Sequence, residues 1–328
     1  MKLHEAEDIY DVILPIYILS KILGLAPFTI AKKILKPHFN PLTLVHILLV
    51  IGGMCYNAYL VETLEQQQKM VALALKCELY LGTLMTFTVL TLAIINQKLL
   101  IECVEKIDEI DMNMKNINIK INYKNSRRFV SVQIIFITCV FLLKVVLQFF
   151  MHSAARLSMY TAFNVFDYIN TIMLFQYVDL LLLIRQRFIW MNRRLRQLNN
   201  YTDYFEKLTI PLTPIVSDTD TKKYPIRTKL DSELILNNLA AIYVKLCQLS
   251  RLVNRTYGIQ ILVTVGSRFV MITTQLINTY NIIGDPRFDS PIRYTLTFIY
   301  LFLHSSKIFM IASLSENTAA KVGCYNFC

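Results

Sequence analysis

The sequence predicts an all-α membrane protein, a polytopic helix bundle with about six transmembrane helices and a cytosolic N-terminus. Three observations support this prediction. Of the 328 residues 55% are hydrophobic, with a mean hydropathy of +0.44, and this content exceeds the roughly 45–50% of water-soluble domains. The apolar residues fall into long runs, and the basic residues fall between those runs. The surplus of apolar side chains is therefore expected to face lipid.

Six apolar stretches reach the length of about 20 residues that a helix needs to cross the hydrocarbon core. They are residues 42–60, 70–96, 129–151, 157–184, 257–283 and 294–314. The earlier apolar run 9–31 is divided by Asp11, Pro15, Lys21 and Pro27, which predicts a helix at the interface or packed on the bundle. We expect residues 1–328 to form a single membrane domain.

Lysine and arginine residues outside the spans are concentrated on one side of the predicted membrane. Twenty-six lie before residue 42, in the loops 97–128 and 185–256, and in the C-terminal tail, whereas the other side has only a few, such as Lys69 and Arg156. The positive-inside rule places both termini and both long loops in the cytosol. Apolar residues keep helical spacing at both ends of 185–256, which predicts a cytosolic helical extension.

The composition and motifs argue against several function classes. The net charge is +11, but its placement between apolar runs indicates membrane topology, and we expect no nucleic-acid partner. The five histidines are scattered, the seven cysteines form no CxxC pair, and the sequence has neither a glycine-rich phosphate loop nor a nucleophile elbow. We therefore predict no enzyme activity, no catalytic residue, no metal site and no cofactor.

Seven ionisable residues lie inside the predicted spans, namely Lys76, Glu78, Lys144, Asp167, Asp179, Arg268 and Lys307. Each costs roughly 2.5–3.5 kcal/mol to insert, so such groups face the bundle interior and find partners there. Counted along the helices, Asp179 is predicted to pair with Arg268, and Lys144 with Asp167. Each pair is either a structural salt bridge that sets helix register or a direct part of gating.

Polar and aromatic residues collect at the outer ends of several spans. They are Gln148, His152, Asp167, Tyr168, Asn170, Gln275, Asn278 and Tyr294. Sites between bundle helices that are apolar with a few placed polar groups commonly bind small molecules, so these residues are the predicted ligand-binding set. The alternatives are that polar side chains between membrane helices only hydrogen-bond to one another, or that the aromatic ones belong to an interfacial belt.

Two stretches carry a resemblance to a known family. The first ends in Gly-Leu-Ala-Pro-Phe at residues 24–28, and the second runs from Leu-Cys at 246–247 through Asn254 to Tyr-Gly-Ile-Gln at 257–260. Both are similar to the insect gustatory receptors of the seven-helix chemoreceptor superfamily. The resemblance covers essentially the whole chain. It implies a ligand-gated cation channel, assembled as a homo- or hetero-tetramer, that detects small-molecule tastants at the plasma membrane of chemosensory neurons.

The sequence departs from this family at its C-terminus. Members are expected to carry a seventh helix that lines the pore and has a Thr-Tyr pair followed by a Gln-Phe pair, whereas this sequence stops at residue 328, just after the sixth predicted span. We therefore expect a truncated chain that does not conduct by itself. The alternatives are an odorant receptor of the same superfamily, and a transporter or non-conducting membrane subunit.

Overall fold

The computed structural model describes residues 8–31, 34–37, 41–63, 69–151, 154–208, 223–283 and 291–323. Within these ranges the elements follow one another as α1 (Ile9–Ile22), β1 (Phe28–Ala31), β2 (Ile34–Pro37), α2 (Pro41–Thr63), α3 (Lys69–Ile95), α4 (Gln97–Asn116), α5 (Tyr123–Met151), α6 (Ala154–Leu208), α7 (Lys223–Ile283) and α8 (Pro291–Gly323). The predicted fold class, an all-α polytopic membrane bundle, is confirmed.

Five helices are long and apolar enough to cross a membrane among the described residues. These are α3, α5, α6, α7 and α8. The remaining predicted span, 42–60, corresponds to α2, whose described apolar stretch Pro41–Tyr56 is shorter than a membrane-spanning helix. Helices α6 and α7 have 55 and 61 residues, which at about 1.5 Å per residue gives roughly 80–90 Å. Because the hydrocarbon core is about 30 Å thick, both helices extend well beyond it.

Helix α6 is the central element of the bundle, and α5 lies at its edge. In the apolar stretch of α6, 83% of the residues are buried, against 22% in that of α5. Along α6 the buried side chains cover most of the circumference, including Ile169, Ile172, Met173 and Leu174. A helix that is apolar all round belongs in the interior of a bundle. Polar residues on α6 are therefore buried among other helices.

The first helix begins and ends with recognisable caps. The Asp8 carboxylate accepts a hydrogen bond from the backbone N–H of Asp11 at 3.1 Å, which satisfies an end group of α1. At the other end, Gly24 has φ = +78° and the N–H of Leu25 donates to the Ser20 carbonyl at 2.7 Å, the pattern of a Schellman cap. A Cβ at Gly24 would lie 3.0 Å from Thr43 Cα. Glycine therefore permits both the turn and the close approach of α2.

A short antiparallel hairpin follows α1 and was not predicted. Phe28 pairs with Pro37 and Ala31 with Ile34. The Tyr17 hydroxyl donates to the Phe28 carbonyl at 3.1 Å and accepts from the Ile30 N–H at 3.4 Å. Four-residue strands are too short to show the alternation of apolar and polar residues that identifies a strand in a sequence. A tyrosine on α1 thus fixes a hairpin that has little sequence signal of its own.

Helix α4 is amphipathic and packs one face against the bundle. Leu100, Cys103, Val104, Ile107 and Ile110 are buried, at the spacing of three and four residues expected for one helical face. Burial raises the pKa of the Cys103 thiol to about 12, and its sulfur lies 3.8 Å from the hydroxyl oxygen of Thr256 on α7. Helix α4 is therefore firmly attached to the part of α7 that precedes the apolar span.

Candidate functional site

A buried ionic cluster joins four helices around Asp167 of α6. One Asp167 oxygen lies 2.6 Å from Arg268 Nη2 of α7 and 2.9 Å from Lys307 Nζ of α8. The other oxygen lies 3.9 Å from Lys144 Nζ of α5. All four side chains are at most 4% exposed. One carboxylate therefore faces three buried cations.

A second carboxylate lies in the same region without balancing the charge. Gln275 Nε2 of α7 donates to the two oxygens of Glu78 on α3 at 3.2 and 3.1 Å, and Lys144 is among the charges that act on Glu78. With every group ionised, three positive charges face two negative ones. Buried charges are costly unless they are paired and hydrogen-bonded. In this fully ionised state the cluster has one cation more than its carboxylates can neutralise.

Aromatic rings offset part of the cost of burying this excess positive charge. Lys144 Nζ lies 3.6 Å from the centroid of the Tyr300 ring, and Phe163 and Phe141 are at 5.6 and 5.5 Å. The negative face of an aromatic ring attracts a cation by about 2 kcal/mol when both are removed from water. Lys144 is therefore held by aromatic faces as well as by the Asp167 carboxylate at 3.9 Å.

His304 of α8 extends the cluster as a neutral imidazole. Arg268 Nη1 lies 2.8 Å from His304 Nδ1. Because an arginine side chain only donates hydrogen bonds, Nδ1 must accept and Nε2 carries the ring proton. Nε2 has no hydrogen-bond partner among the described residues. The ring thus presents a buried N–H donor next to the three cations.

A layer of amides borders the ionic groups. Asn164 Nδ2 donates to Gln148 Oε1, and Gln148 Nε2 donates to the Tyr300 hydroxyl at 3.4 Å. The carbonyl oxygens of Asn164 and Asn170 have no hydrogen-bond partner within the described part of the chain, although both side chains are buried. Nearly all buried polar groups in proteins are bonded to protein or to an ordered molecule. These atoms are available to a water or to a small polar ligand.

The structure brings together only part of the predicted ligand-binding set. Gln148 and Asp167 lie in the cluster, and Gln275 binds Glu78 beside it. Asn170 Nδ2 donates to the Thr86 hydroxyl at 2.8 Å. Their role in binding a ligand remains a prediction.

The remaining members of that set lie elsewhere. The Tyr168 hydroxyl is 2.8 Å from that of Thr138. Tyr294 is 38% exposed at the start of α8. The side chains of His152 and Asn278 lie outside the described residues.

The predicted pair of Asp179 with Arg268 is wrong, because Arg268 binds Asp167. Neither oxygen of Asp179 has a hydrogen-bond partner among the described residues. Measured along the helices at about 1.5 Å per residue, Arg268 lies roughly 23 Å from the end of α7 at Ile283. Asp167 lies roughly 20 Å and Asp179 roughly 38 Å from the start of α6 at Ala154. Asp167, and not Asp179, is therefore level with Arg268.

Three cluster residues were missed and one was left without a partner. Asn164, Tyr300 and His304 were not singled out, and Lys307 was recognised only as an intramembrane charge. A signal did exist, since positions 300, 304 and 307 of α8 are spaced by four and three residues and so lie on one helix face. Reading the polar residues of α8 by periodicity, rather than by their distance from a span end, would have found them.

Comparison with known proteins gives the family. The sequence profile of the 7tm chemosensory receptor family matches residues 13–322, nearly the entire chain. No match is found among curated proteins. The matched region contains the five membrane-length helices and all members of the buried ionic cluster. The chain belongs to the 7tm chemosensory receptor family.

Proposed function

We propose that this chemosensory receptor is of the gustatory type and that it binds a small water-soluble compound at the Asp167 cluster. The observation that carries the proposal is the imbalance of the cluster, in which three buried cations face two carboxylates. A ligand with carboxylate or hydroxyl oxygens would accept hydrogen bonds from Lys144 Nζ and His304 Nε2, which have no hydrogen-bond partner among the described residues.

The polarity of the cluster favours taste over smell. A volatile odorant is mostly apolar and offers few oxygens, so it would leave the buried donors unsatisfied at a cost of about 1–3 kcal/mol each. A dissolved tastant such as an organic acid or a sugar can satisfy them. An odorant receptor is the rival hypothesis, and it predicts that apolar volatiles bind better than organic acids or sugars.

Gating would follow from the position of the cluster between helices. Its charged groups lie on α5, α6, α7 and α8, so a bound anion would change the forces that hold these four helices together. A ligand shifts a conformational equilibrium only by its different affinity for the two states. In the proposed tetrameric cation channel at the plasma membrane of chemosensory neurons, the open state would bind the ligand more tightly.

The first experiment measures binding by the purified full chain in detergent. Small carboxylic acids, sugars and apolar volatiles are screened for their ability to raise the unfolding temperature, because a ligand that binds the native state stabilises it. A carboxylic acid or a sugar is expected to be the best stabiliser. Replacing His304 by Phe removes the Nε2 donor and should weaken the apparent affinity about tenfold, the effect of one lost hydrogen bond to a buried group.

Thr264→Val is the matched control. Thr264 is also a buried polar residue between these helices, but in the part of the chain that the structure describes its hydroxyl donates only to the Gln260 carbonyl of its own helix at 2.7 Å. It should leave the ligand affinity unchanged. Equal effects of the two substitutions, or stabilisation by apolar volatiles alone, would remove the assignment of the site.

Conduction is tested separately, by recording ligand-evoked cation current from cells that express the full chain alone or with other receptors of the family. Current that saturates over the same ligand range as the thermal shift supports the channel role. Ligand uptake without current would favour the alternative of a transporter, and binding with neither would favour a non-conducting subunit.

A further inference from the structure

A second polar region lies far from the Asp167 cluster, where the turn between α4 and α5 meets α6. It is a pocket of about 740 Å³, which we call the Trp190 pocket after the only tryptophan of the sequence. Its lining includes Lys120, Asn125, Gln186, Trp190, Arg193 and Arg194. This volume lies within the range of about 300–1,000 Å³ typical of small-molecule sites.

The walls of the pocket are fixed by local hydrogen bonds. Asn118, two residues after the end of α4, has φ = +60°, and the N–H of Ile119 donates to the Met114 carbonyl at 3.0 Å. Asn122 Oδ1 accepts from the Asn125 N–H at 3.1 Å and so caps α5. Ser126 of α5 donates to Gln186 Oε1 of α6 at 2.9 Å. The turn that carries Lys120 is therefore held in place before any ligand arrives.

The lining of the Trp190 pocket is positively charged. Lys120, Arg193 and Arg194 line it, and no aspartate or glutamate does so among the described residues. Lys120 and Arg193 are exposed, whereas Arg194 Nε is buried and has no hydrogen-bond partner in the described part of the chain. To the described residues, the side chain of Arg194 makes one weak hydrogen bond, of 3.4 Å from Nη1 to Gln197. Three cationic side chains therefore line one concave surface, and they have N–H donors available for a ligand.

The location of the pocket suits a membrane lipid. Its wall includes the first turn of α5, and exposed apolar side chains begin on the same helix at Phe129 and Val132. Trp190 lines the same pocket, and tryptophan is enriched at membrane–water interfaces. The surplus of basic residues in the adjoining loops predicts that this side faces the cytosol. Cytosolic leaflets carry anionic lipids, and basic pockets between helices bind phosphorylated headgroups.

We propose that the Trp190 pocket binds the phosphorylated headgroup of an inositol lipid of the cytosolic leaflet, with Lys120, Arg193 and Arg194 holding the phosphates and Trp190 lying against the headgroup. This site is separate from the proposed tastant site, and its assignment does not depend on that site. The lipid would join the α4–α5 turn to α6 and so stabilise the packing of these elements.

The single tryptophan provides the test. The purified full chain in detergent is titrated with a short-chain phosphatidylinositol bisphosphate, and the fluorescence of Trp190 is followed. The emission is expected to change saturably. Replacing both Arg193 and Arg194 by Gln should weaken the apparent affinity about thirtyfold, as expected for two lost headgroup cations, and Lys120→Gln alone should weaken it by about fivefold.

Arg196→Gln is the matched control, because Arg196 is an exposed arginine of the same helix that does not line the pocket. It should retain the wild-type affinity. An equal loss in Arg196→Gln would show that general surface charge attracts the lipid, and it would overturn the proposal. A flat titration of the wild type would also overturn it. Circular dichroism of each variant separates lost binding from lost folding.

A second series distinguishes the sources of the phosphate. Soluble inositol trisphosphate and a short-chain phosphatidylserine are titrated against the same fluorescence signal. The phosphoinositide is expected to bind more tightly than both, because its acyl chains contact the apolar face of α5 and its headgroup carries more charge than a serine headgroup. Equal affinity for the soluble headgroup would reject a lipid as the ligand, and equal affinity for phosphatidylserine would reject a specific headgroup.

Discussion

Two buried charged sites of this bundle are built in opposite ways. Arg187 of α6 donates from Nε and Nη2 to the two oxygens of Asp111 on α4 at 2.9 and 2.7 Å. The Tyr123 hydroxyl donates to the same carboxylate at 2.9 Å, and Arg187 Nη1 donates to the Leu183 carbonyl at 3.0 Å. One cation meets one carboxylate here. Around Asp167, three cations share one carboxylate, and several polar atoms have no hydrogen-bond partner within the described ranges.

The difference shows what each site can do. A buried pair whose donors and acceptors are all used has nothing left to offer a ligand, and its effect is to fix the arrangement of α4, α5 and α6. A cluster with an excess charge and unused donors is less stable by itself but can gain from a bound anion. The first site is therefore expected to respond to substitution in stability, and the second mainly in ligand affinity.

The largest stability effect is expected from Asp111→Asn. The substitution keeps the size of the side chain but leaves the Arg187 guanidinium, which is 1% exposed, without a counter-charge. Breaking a buried pair in this way costs about 3–5 kcal/mol. The unfolding temperature of the purified protein should fall markedly, and the double variant Asp111→Leu with Arg187→Met should recover most of the loss. A single variant as stable as the wild type would show that the pair does not hold α4 in place.

The next effect concerns how tightly the interface between α4 and α7 excludes solvent. Because burial raises the pKa of Cys103 to about 12 from a value of 9, its reactive thiolate is about a thousandfold scarcer below pH 9 than in an unfolded chain. Alkylation of this peptide, followed by mass spectrometry, should be slower by at least that factor in the native protein than in denaturant. Equally rapid labelling in both states would mean that this interface is open.

The same pKa shift sets the direction of a pH effect on stability. The unfolded thiol ionises near pH 9 and the folded one only near pH 12, so the folded state binds the additional proton between these values. Stability is therefore expected to fall as the pH rises from about 9 to 12 and to be independent of this group below pH 9. Cys103→Ala should lose this part of the alkaline destabilisation, which unfolding measured across that pH range would reveal.

A smaller effect is expected from Lys144→Met in the Asp167 cluster. Removing this lysine lowers the buried positive charge from three groups to two, equal to the carboxylates Asp167 and Glu78, but it also removes the contact with the Tyr300 ring. These contributions oppose each other, so the unfolding free energy should change by no more than about 1 kcal/mol. Arg268→Met is the control. It removes the 2.6 Å ion pair and should destabilise the protein more strongly than Lys144→Met.

Most of the fold, but only part of the candidate site, could be predicted from the sequence. Span lengths and the apolar excess were sufficient for the membrane bundle, because covering about 30 Å of hydrocarbon requires long apolar runs. The cluster depends on how far each helix extends beyond its apolar run, and a sequence defines that boundary poorly. Asp179 was matched with Arg268 although Asp167 is closer to the level of Arg268 even when counted from the predicted span ends at residues 157 and 283. The hairpin after α1 depends on Tyr17, whose contact with Phe28 is tertiary and leaves no local pattern.

The smallest expected effect, from Glu109→Gln, makes the comparison quantitative, because Glu109 lies two residues from Asp111 on the same helix. Its carboxylate is also 2.7 Å from a cation, Lys245 of α7, but the two side chains are 52% and 38% exposed. Water screens such a pair, and its removal is expected to cost less than about 1 kcal/mol. The two substitutions remove the same charge from ion pairs with the same 2.7 Å contact, so the difference in unfolding temperature between them measures the combined effect of burial and of the additional hydrogen bonds that Asp111 accepts. If Glu109→Gln were as damaging as Asp111→Asn, the charge balance of α4 would control stability, and the distinction between satisfied and unsatisfied buried sites would lose its basis.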